Sequence, residues 1–455
     1  MHTDNMIKKS VLLLLLTVVL NANISAQEDT LTLKVAVMGP GDQLYFWWGH
    51  IALIIEDSSN DTAKMLREMG YNFPLMIEDS SKITGYFFDY GIFSFDNDNF
   101  FYNFAFGRLL YSCGVSTAER NLNNYKRTNR DITIYTLDLP PETKRKVRDF
   151  AVRNVLPENR DYYYHHFRDN CSTRIRDIID LATDGQFKKE FGNKVTGFTL
   201  RNHVRRHTYF SPAADWFLNF LMGQVIDYPV TVWEDMFLPS EVGKRIKDFR
   251  YIDVNGKERK LVSSVEIVNQ AKNRPPVLEK PHKQWIWELI FSLALSAIFA
   301  FFFFLHKKDI KAGRVLAGVS MSLCGLFFGF AGLLLYFMNL FTNHDYTYQN
   351  TNMIFCTPLP LVAVPFGICY AITKNQKKLQ AYGELLRLIW LLSVLGVFIS
   401  MLIKILPGFY QDNLTDQMLI LPIALTFTLQ PTGLKETLEK YFPKKASHSG
   451  EKSGS

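Results

Sequence analysis

The sequence has few of the features that announce a function. It holds only five cysteines in 455 residues, and three of them, Cys324, Cys356 and Cys369, lie in apolar stretches as small membrane residues. That leaves Cys113 and Cys171 for a disulfide or for thiol chemistry. No His, Cys and Asp cluster has the spacing of ligands, so no metal and no other cofactor is expected. Lys and Arg outnumber Asp and Glu by 51 to 44, but no basic block alternates with aromatics, which argues against a nucleic-acid partner. The excess reads instead as topology and lipid-headgroup charge. There is no internal repeat, and beyond about residue 284 the chain becomes mostly apolar.

What is present divides the chain. Lys8 and Lys9, an apolar core from Val11 to Leu20 and small residues around Ser25 and Ala26 have the order of an export signal over 1–26. A mixed, aromatic, charged domain follows over 27–250, then a charged, Pro-containing linker over 251–284. Apolar segments at roughly 285–305, 315–338, 354–373, 385–404 and 417–433 predict an all-α membrane region of about five helices over 285–433, since a bilayer core is about 30 Å thick. The Lys- and Ser-rich tail, 434–455, is expected to be disordered and cytoplasmic. Lys307, Lys308, Lys311 and Arg314 mark the first connecting loop, and Lys374, Lys377 and Lys378 the third. The second loop, Asn339 to Met353, carries no Lys or Arg, nor does the chain from Ile405 to Gln417. The positive-inside tendency puts loops one and three in the cytoplasm and the 27–284 segment outside, in agreement with the signal.

The exported domain patterns as α+β. Leu31–Val37, Ile51–Ile55 and Ile132–Leu137 read as strands, Pro141 to Asn154 as a helix, and Ser211-Pro212 as the start of a helix ending before Gly223. The aromatics of Leu44–Trp48 and Phe100–Phe106 offer two readings, rings that dip into the headgroup region or, the favoured expectation, mainly core strands. The stretch Asp169-Asn170-Cys171-Ser172-Thr173-Arg174 opens another helix, with Ile175, Ile178, Ile179 and Ala182 at helical spacing. Asp169 or Asn170 can cap it, which places Cys171 in the first turn, where unpaired N–H groups and the helix dipole favour a thiolate. Those N–H groups, around Asn170 and Ser172, are candidates to hold an oxyanion. Gly49-His50 opens a buried strand, which would hold an imidazole rigidly enough for a general base. His165 and His166 are nearer in sequence but sit in a Tyr-rich lead-in. The second loop offers His344, Asp345 and Asn350 as a polar platform on the outer face, or simply as a solvated loop.

Gly49-His50, Asp89-Tyr90-Gly91-Ile92-Phe93, Asn170-Cys171-Ser172-Thr173-Arg174 and Phe237-Leu238-Pro239 resemble the Lnb N-terminal periplasmic domain family over roughly residues 30–250. The multi-span region is similar to that of full-length lipoprotein N-acyltransferases of the Lnb type. The order of His on an early strand and Asn-Cys at a later helix start also resembles the permuted papain-like enzymes of the lecithin:retinol acyltransferase and NlpC type. The resemblance implies a Cys/His acyltransferase in the bacterial cytoplasmic membrane, its catalytic domain on the periplasmic side. It would pass an acyl chain from a phospholipid, through a Cys171 thioester, to the N-terminal diacylglyceryl-cysteine of lipoproteins, with His50 as base. A third residue on the next strand orients the imidazole in such enzymes, and Asp89 and Tyr90 both stand there. Arg174, His344 and Asn350 are candidate substrate-binding residues. The alternatives are a membrane-anchored cysteine hydrolase or amidase acting on envelope peptide or peptidoglycan, for which several spans are superfluous, and a non-catalytic module, for which a Cys113–Cys171 disulfide is expected.

Overall fold

The computed structural model describes residues 29–71, 83, 85–95 and 98–432. The export signal and the tail expected at 434–455 lie outside the described residues. The exported part is built on a seven-stranded antiparallel sheet of β1 (Leu31–Met38), β2 (His50–Asp57), β3 (Gly85–Ile92), β4 (Leu110–Thr117), β5 (Ile132–Leu137), β6 (Asp161–Tyr163) and β7 (Val262–Asn269), in the order β7-β5-β1-β2-β3-β4-β6. The continuous apolar run of β2 belongs in the middle of the sheet, where both faces are covered. Residues 51–55 are all buried.

The two faces are covered unequally. Helices α1 (Phe100–Ala105) and α2 (Ala118–Arg127) follow β3 and β4, and α3 (Pro141–Asn154) and α4 (Cys171–Ala182) follow β5 and β6. On one face, Val147 and Ala151 of α3 and Ile175, Ile178 and Ile179 of α4 join Leu33, Val35, Leu53, Phe88 and Tyr90 in the larger core. On the other, α2 lays Leu122 and Tyr125 over Ala36, Ala52, Ile54 and Phe87. Helices α5 (Leu200–Thr208), α6 (Pro212–Leu221) and α7 (Pro239–Asp248) follow later in the domain, among shorter helices and two small two-stranded sheets.

Two expectations are corrected here. The segment read as a linker from 251 carries β7, which pairs antiparallel with β5 and buries Val262, so the sheet ends well past residue 250. The local cause is visible in retrospect: Leu261, Val262, Val265 and Ile267 are β-formers amid the charges. Leu44–Phe46 and Phe100–Ala105 are a 3-10 turn and a helix rather than core strands, and most of their apolar side chains stay exposed.

The membrane half has three helices long and apolar enough to cross a bilayer, α8 (Trp285–Lys307), α9 (Lys311–Phe341) and α11 (Gln376–Ile403). Two shorter apolar helices, α10 (Ala363–Ile372) and α12 (Leu414–Thr428, containing Pro422), pack between them. The loop after α9 and the loop after α11 both touch the exported domain. Asn350 Nδ2 donates to the carbonyls of Phe220 (2.9 Å) and Leu221 (3.1 Å), and Gln411 Nε2 donates to that of Met222 (3.1 Å). Trp216 of α6 stacks on Phe327 of α9 at 5.8 Å. The lysine-free loops therefore lie on the exported domain's side of the bundle, as their charge predicts.

Candidate active site

The chemistry gathers where β2 begins. Gly49 turns the chain into that strand with φ +84, and a Cβ there would run against the Met38 carbonyl oxygen at 2.7 Å. Glycine alone takes this conformation without strain, which accounts for the Gly-His pair. His50 then points to the α2 face of the sheet. Side chains alternate along strands, and the register sets Ala52 opposite Asp89, so Asp89 shares that face and Tyr90 takes the other. The Nε2 of His50 donates to Asp89 Oδ1 at 2.6 Å, while Tyr90 is buried in the core and its hydroxyl accepts from Asn154 Nδ2 at 3.1 Å. Of the two candidates for orienting His50, the alternation selects Asp89.

Burial works against a charged His50, but Tyr125, Asp89 and Cys171 around it outweigh that cost, and its pKa stands well above the ordinary histidine value. Tyr125 lies over the imidazole with ring centres 6.1 Å apart. Behind Tyr125, the buried Arg130 guanidinium is sandwiched between the rings of Phe46 and Tyr125, 4.9 Å from each. Neither Tyr125 nor Arg130 was singled out in the sequence, because a Tyr and an Arg on a polar surface helix and its exit carry no local signal.

Cys171 is the first residue of α4. Asn170 Oδ1 accepts from the N–H groups of Ser172 (2.8 Å) and Thr173 (2.9 Å), and the Thr173 hydroxyl accepts from the Asn170 N–H (2.8 Å), a reciprocal capping box. The Asn170 amide donates to the carbonyls of His166 (2.6 Å) and Phe237 (3.0 Å), so the Phe237-Leu238-Pro239 segment clamps the cap. The capping box engages the Ser172 and Thr173 N–H groups and the Asn170 amide, whereas the buried Ser172 hydroxyl has no partner among the described residues. The N–H of Cys171 itself is the one in that turn left by the cap. Beside it, a Cβ built on Gly91 would sit 3.9 Å from the Cys171 Cβ, which fixes the thiol at the β3 bulge. Both Cys113 and Cys171 are free, so the disulfide expected for a non-catalytic module is not formed. Cys113 is buried in the core, and burial pushes its thiol up to about 12.

His50, Asp89, Cys171 and Tyr125 line one cavity of about 470 Å³ whose remaining wall is largely apolar, including Phe46, Trp48, Phe93, Leu109, Leu218 and Met222. The membrane half closes it with Asn343, His344 and Tyr346. The loop after α9 is therefore a wall of the site and not a free solvated segment. Asp345 holds it there, accepting from His165 Nε2 (2.7 Å) and Arg168 Nη1 (2.9 Å). The His165 hydrogen bond keeps the Asp345 carboxyl below its usual range. His344 lines the cavity, but both ring nitrogens are engaged, with the Phe104 carbonyl (2.9 Å) and the Tyr346 hydroxyl (2.8 Å). His166 also lines it, and burial with the nearby His165 and His207 lowers it to about 3, so it is a neutral wall residue.

Arg174 and Asn350, the other candidate substrate contacts, do not line this cavity. Arg174 makes a two-pronged ion pair with Asp169 (2.6 and 2.8 Å) and lies over Tyr162 at 4.2 Å, a satisfied structural pairing outside the cavity wall. Asn350 is buried in the joint between the halves, where its Oδ1 accepts from Asn352 N–H and Gln411 Nε2, both at 3.0 Å. Among the described residues, no group of three or more His, Cys, Asp or Glu could hold a metal ion.

Comparison with known proteins gives two matches. Residues 21–206 match the model of the Lnb N-terminal periplasmic domain, and residues 282–408 match that of the Lnb transmembrane domain. No curated protein and no solved structure matches.

Proposed function

This chain belongs to the Lnb family, whose periplasmic and transmembrane domains it carries in one polypeptide, and from that premise we propose that it is a lipoprotein N-acyltransferase with a permuted papain-like catalytic domain. Family membership places it among membrane proteins of lipoprotein maturation with a periplasmic N-terminal domain. The observation that carries the finer reading is the cavity. A thiol at a capped helix start and a His–Asp pair open into one apolar chamber partly walled by the membrane half.

In the proposed mechanism the Cys171 thiolate attacks an ester carbonyl of a phospholipid. The Cys171 N–H, aided by the dipole of α4, is placed to hold the oxyanion. As the carbonyl–oxygen bond breaks, protonated His50 gives its proton to the departing hydroxyl of the lysophospholipid, and the acyl group stays as a thioester. Because Nε2 is committed to Asp89, this proton exchange falls to Nδ1. The lipoprotein's α-amine, with a pKa of about 7.7–8.0 and so partly neutral already, then attacks the thioester. It passes a proton back to His50, and the carbon–sulfur bond breaks to return the thiolate. Covalent catalysis divides one hard transfer into two easier ones. Mass spectrometry of lipoprotein N-termini, from cells with and without the gene, tests the reading. Triacylated termini that persist unchanged without the protein would overturn it. Release of free fatty acid, with no acyl gain on the lipoprotein, would assign the site to a hydrolase.

A further inference from the structure

The Asn99–Gly107 segment, NFFYNFAFG, contains no charged residue and forms α1 on the rim of the cavity. Phe100 is turned inward and buried, but the other rings of the helix face out: Phe101 is 74% exposed, Tyr102 55% and Phe104 56%. Beside them stand the exposed Leu44, Tyr45 and Phe95, and the rings of Tyr45 and Phe95 join the ridge through Phe93 and Phe100 at 4.8–6.0 Å. A ridge of this size facing water is costly, and such surfaces mark a contact.

Its position says which contact. Phe106, the last aromatic of the segment, packs edge-on against Phe337 of α9 at 5.5 Å, and its carbonyl accepts from the Asn343 N–H at 2.9 Å. Helix α9 has 31 residues and so spans about 46 Å, longer than a hydrocarbon core of about 30 Å. With Lys311 and Arg314 at the cytoplasmic headgroups, Phe337 and the exposed Leu340 and Phe341 fall at the outer interface, where aromatic belts lie. The ridge continues that belt. Arg108 lies over Phe106 at 5.9 Å, a cation at headgroup height. Leu44, Tyr45, Phe93 and Phe104 belong at once to the ridge and to the wall of the cavity that holds Cys171.

We propose that the α1 ridge is seated in the outer leaflet and forms the port through which a phospholipid acyl chain passes sideways from the bilayer into the cavity. The occupant is lipid, since the ridge is continuous with membrane-spanning α9. The port rests on the reading of the cavity as an acyl-transfer site, whereas the seating in the membrane does not.

The test uses the full chain in phospholipid nanodiscs containing a radiolabelled phospholipid. A photoreactive benzoyl-phenylalanine replaces Phe101 in one sample and Val254, an exposed residue on a hairpin turn, in another. Irradiation should attach lipid at position 101 and little at 254. Equal labelling at the two positions, or a protein adduct in place of lipid at 101, would overturn the seating. In parallel, Phe101→Asp should reduce transfer from bilayer phospholipid on the order of tenfold, as a carboxylate is driven out of the interface, and reduce it little from a monomeric short-chain phospholipid. Equal loss with both donors would overturn the port. If the unmodified protein transfers acyl groups from neither donor, the acyltransferase reading fails and the port with it, and the adduct at 101 alone decides the membrane seat.

Discussion

The His50–Asp89 pair sets the charge state on which the proposed chemistry turns, and it can be tested one atom at a time. Cys171→Ala should abolish acyl transfer in a protein that still folds and inserts. Cys171→Ser should be nearly as inactive, since a hydroxyl is far less acidic than a thiol. Cys113→Ala should cost little activity, because that thiol sits in the core. His50→Ala should lower the rate by about 10²–10⁴-fold. Intact-mass measurement after incubation with phospholipid should show one acyl group on the unmodified protein, removable by hydroxylamine, and none on Cys171→Ala. The raised pKa of His50 also makes a stability prediction. A histidine whose folded value is raised contributes stability that is complete below the unfolded value of about 6.5 and is lost as pH rises through the folded value. Asp89→Asn removes one of the charges that raise it. Chemical unfolding should therefore find that variant's deficit largest below about pH 6.5 and shrinking as pH rises past the native His50 titration. A deficit that does not vary with pH would assign Asp89 a packing role only.

At the scale of elements, two junctions position the thiol. One is the cap of α4. Asn170→Ala removes the acceptor for two N–H groups and the donors to His166 and Phe237. Loss of such a cap typically costs about 0.5–2 kcal/mol, and the two orphaned carbonyls should place this one at the upper end. Thermal unfolding measures that loss, and slower alkylation of Cys171 would report the displaced helix start. The other junction is Gly223, whose N–H donates to the Tyr346 carbonyl at 2.9 Å. A Cβ at this glycine would collide with the Tyr348 carbonyl oxygen. Gly223→Ala should therefore push the loop after α9 off the exported domain, at the roughly 1–3 kcal/mol of an overpacked contact. It should also reduce transfer, although residue 223 touches no reacting atom. The α1 segment shows why element type was harder to read than position. A short apolar run suits a buried strand and an interfacial helix equally well, and only exposure separates the two.

For the whole molecule, the arrangement of loops makes a direct topological prediction. A cysteine placed in the loop after α11 should react with a membrane-impermeant thiol reagent in spheroplasts, and one placed between α8 and α9 should not. The reverse pattern would invert the molecule. The exported domain also needs more chain than its motifs span. A fragment ending at residue 250 would lack β7, leaving β5 as an open edge and Leu137 uncovered, and it should unfold at lower temperature than one ending near residue 277. Even the longer fragment would lack the cavity wall formed by Asn343, His344 and Tyr346, so transfer to lipoprotein should require the full chain.

The sequence by itself determined what is local. Helix starts at Pro141, Cys171 and Pro212, the strands Leu31–Val37 and Ile132–Leu137, the apolar helices and the sidedness of their loops all follow from periodicity, capping and lysine placement, which act over a few residues. It also put Cys171 and His50 forward as candidates, because a thiol at a helix start and a histidine opening an apolar strand are local signals. The tertiary structure decided the rest, because those answers depend on residues far apart in the chain. It chose Asp89 over Tyr90 through the register of β2 on β3, and it brought Tyr125 and Arg130 behind His50. It returned Val262–Asn269 to the sheet, and it spent Arg174 and Asn350 on structural partners. Side-chain roles of this kind are set by which groups are left unpaired after packing, and no window of sequence contains that balance.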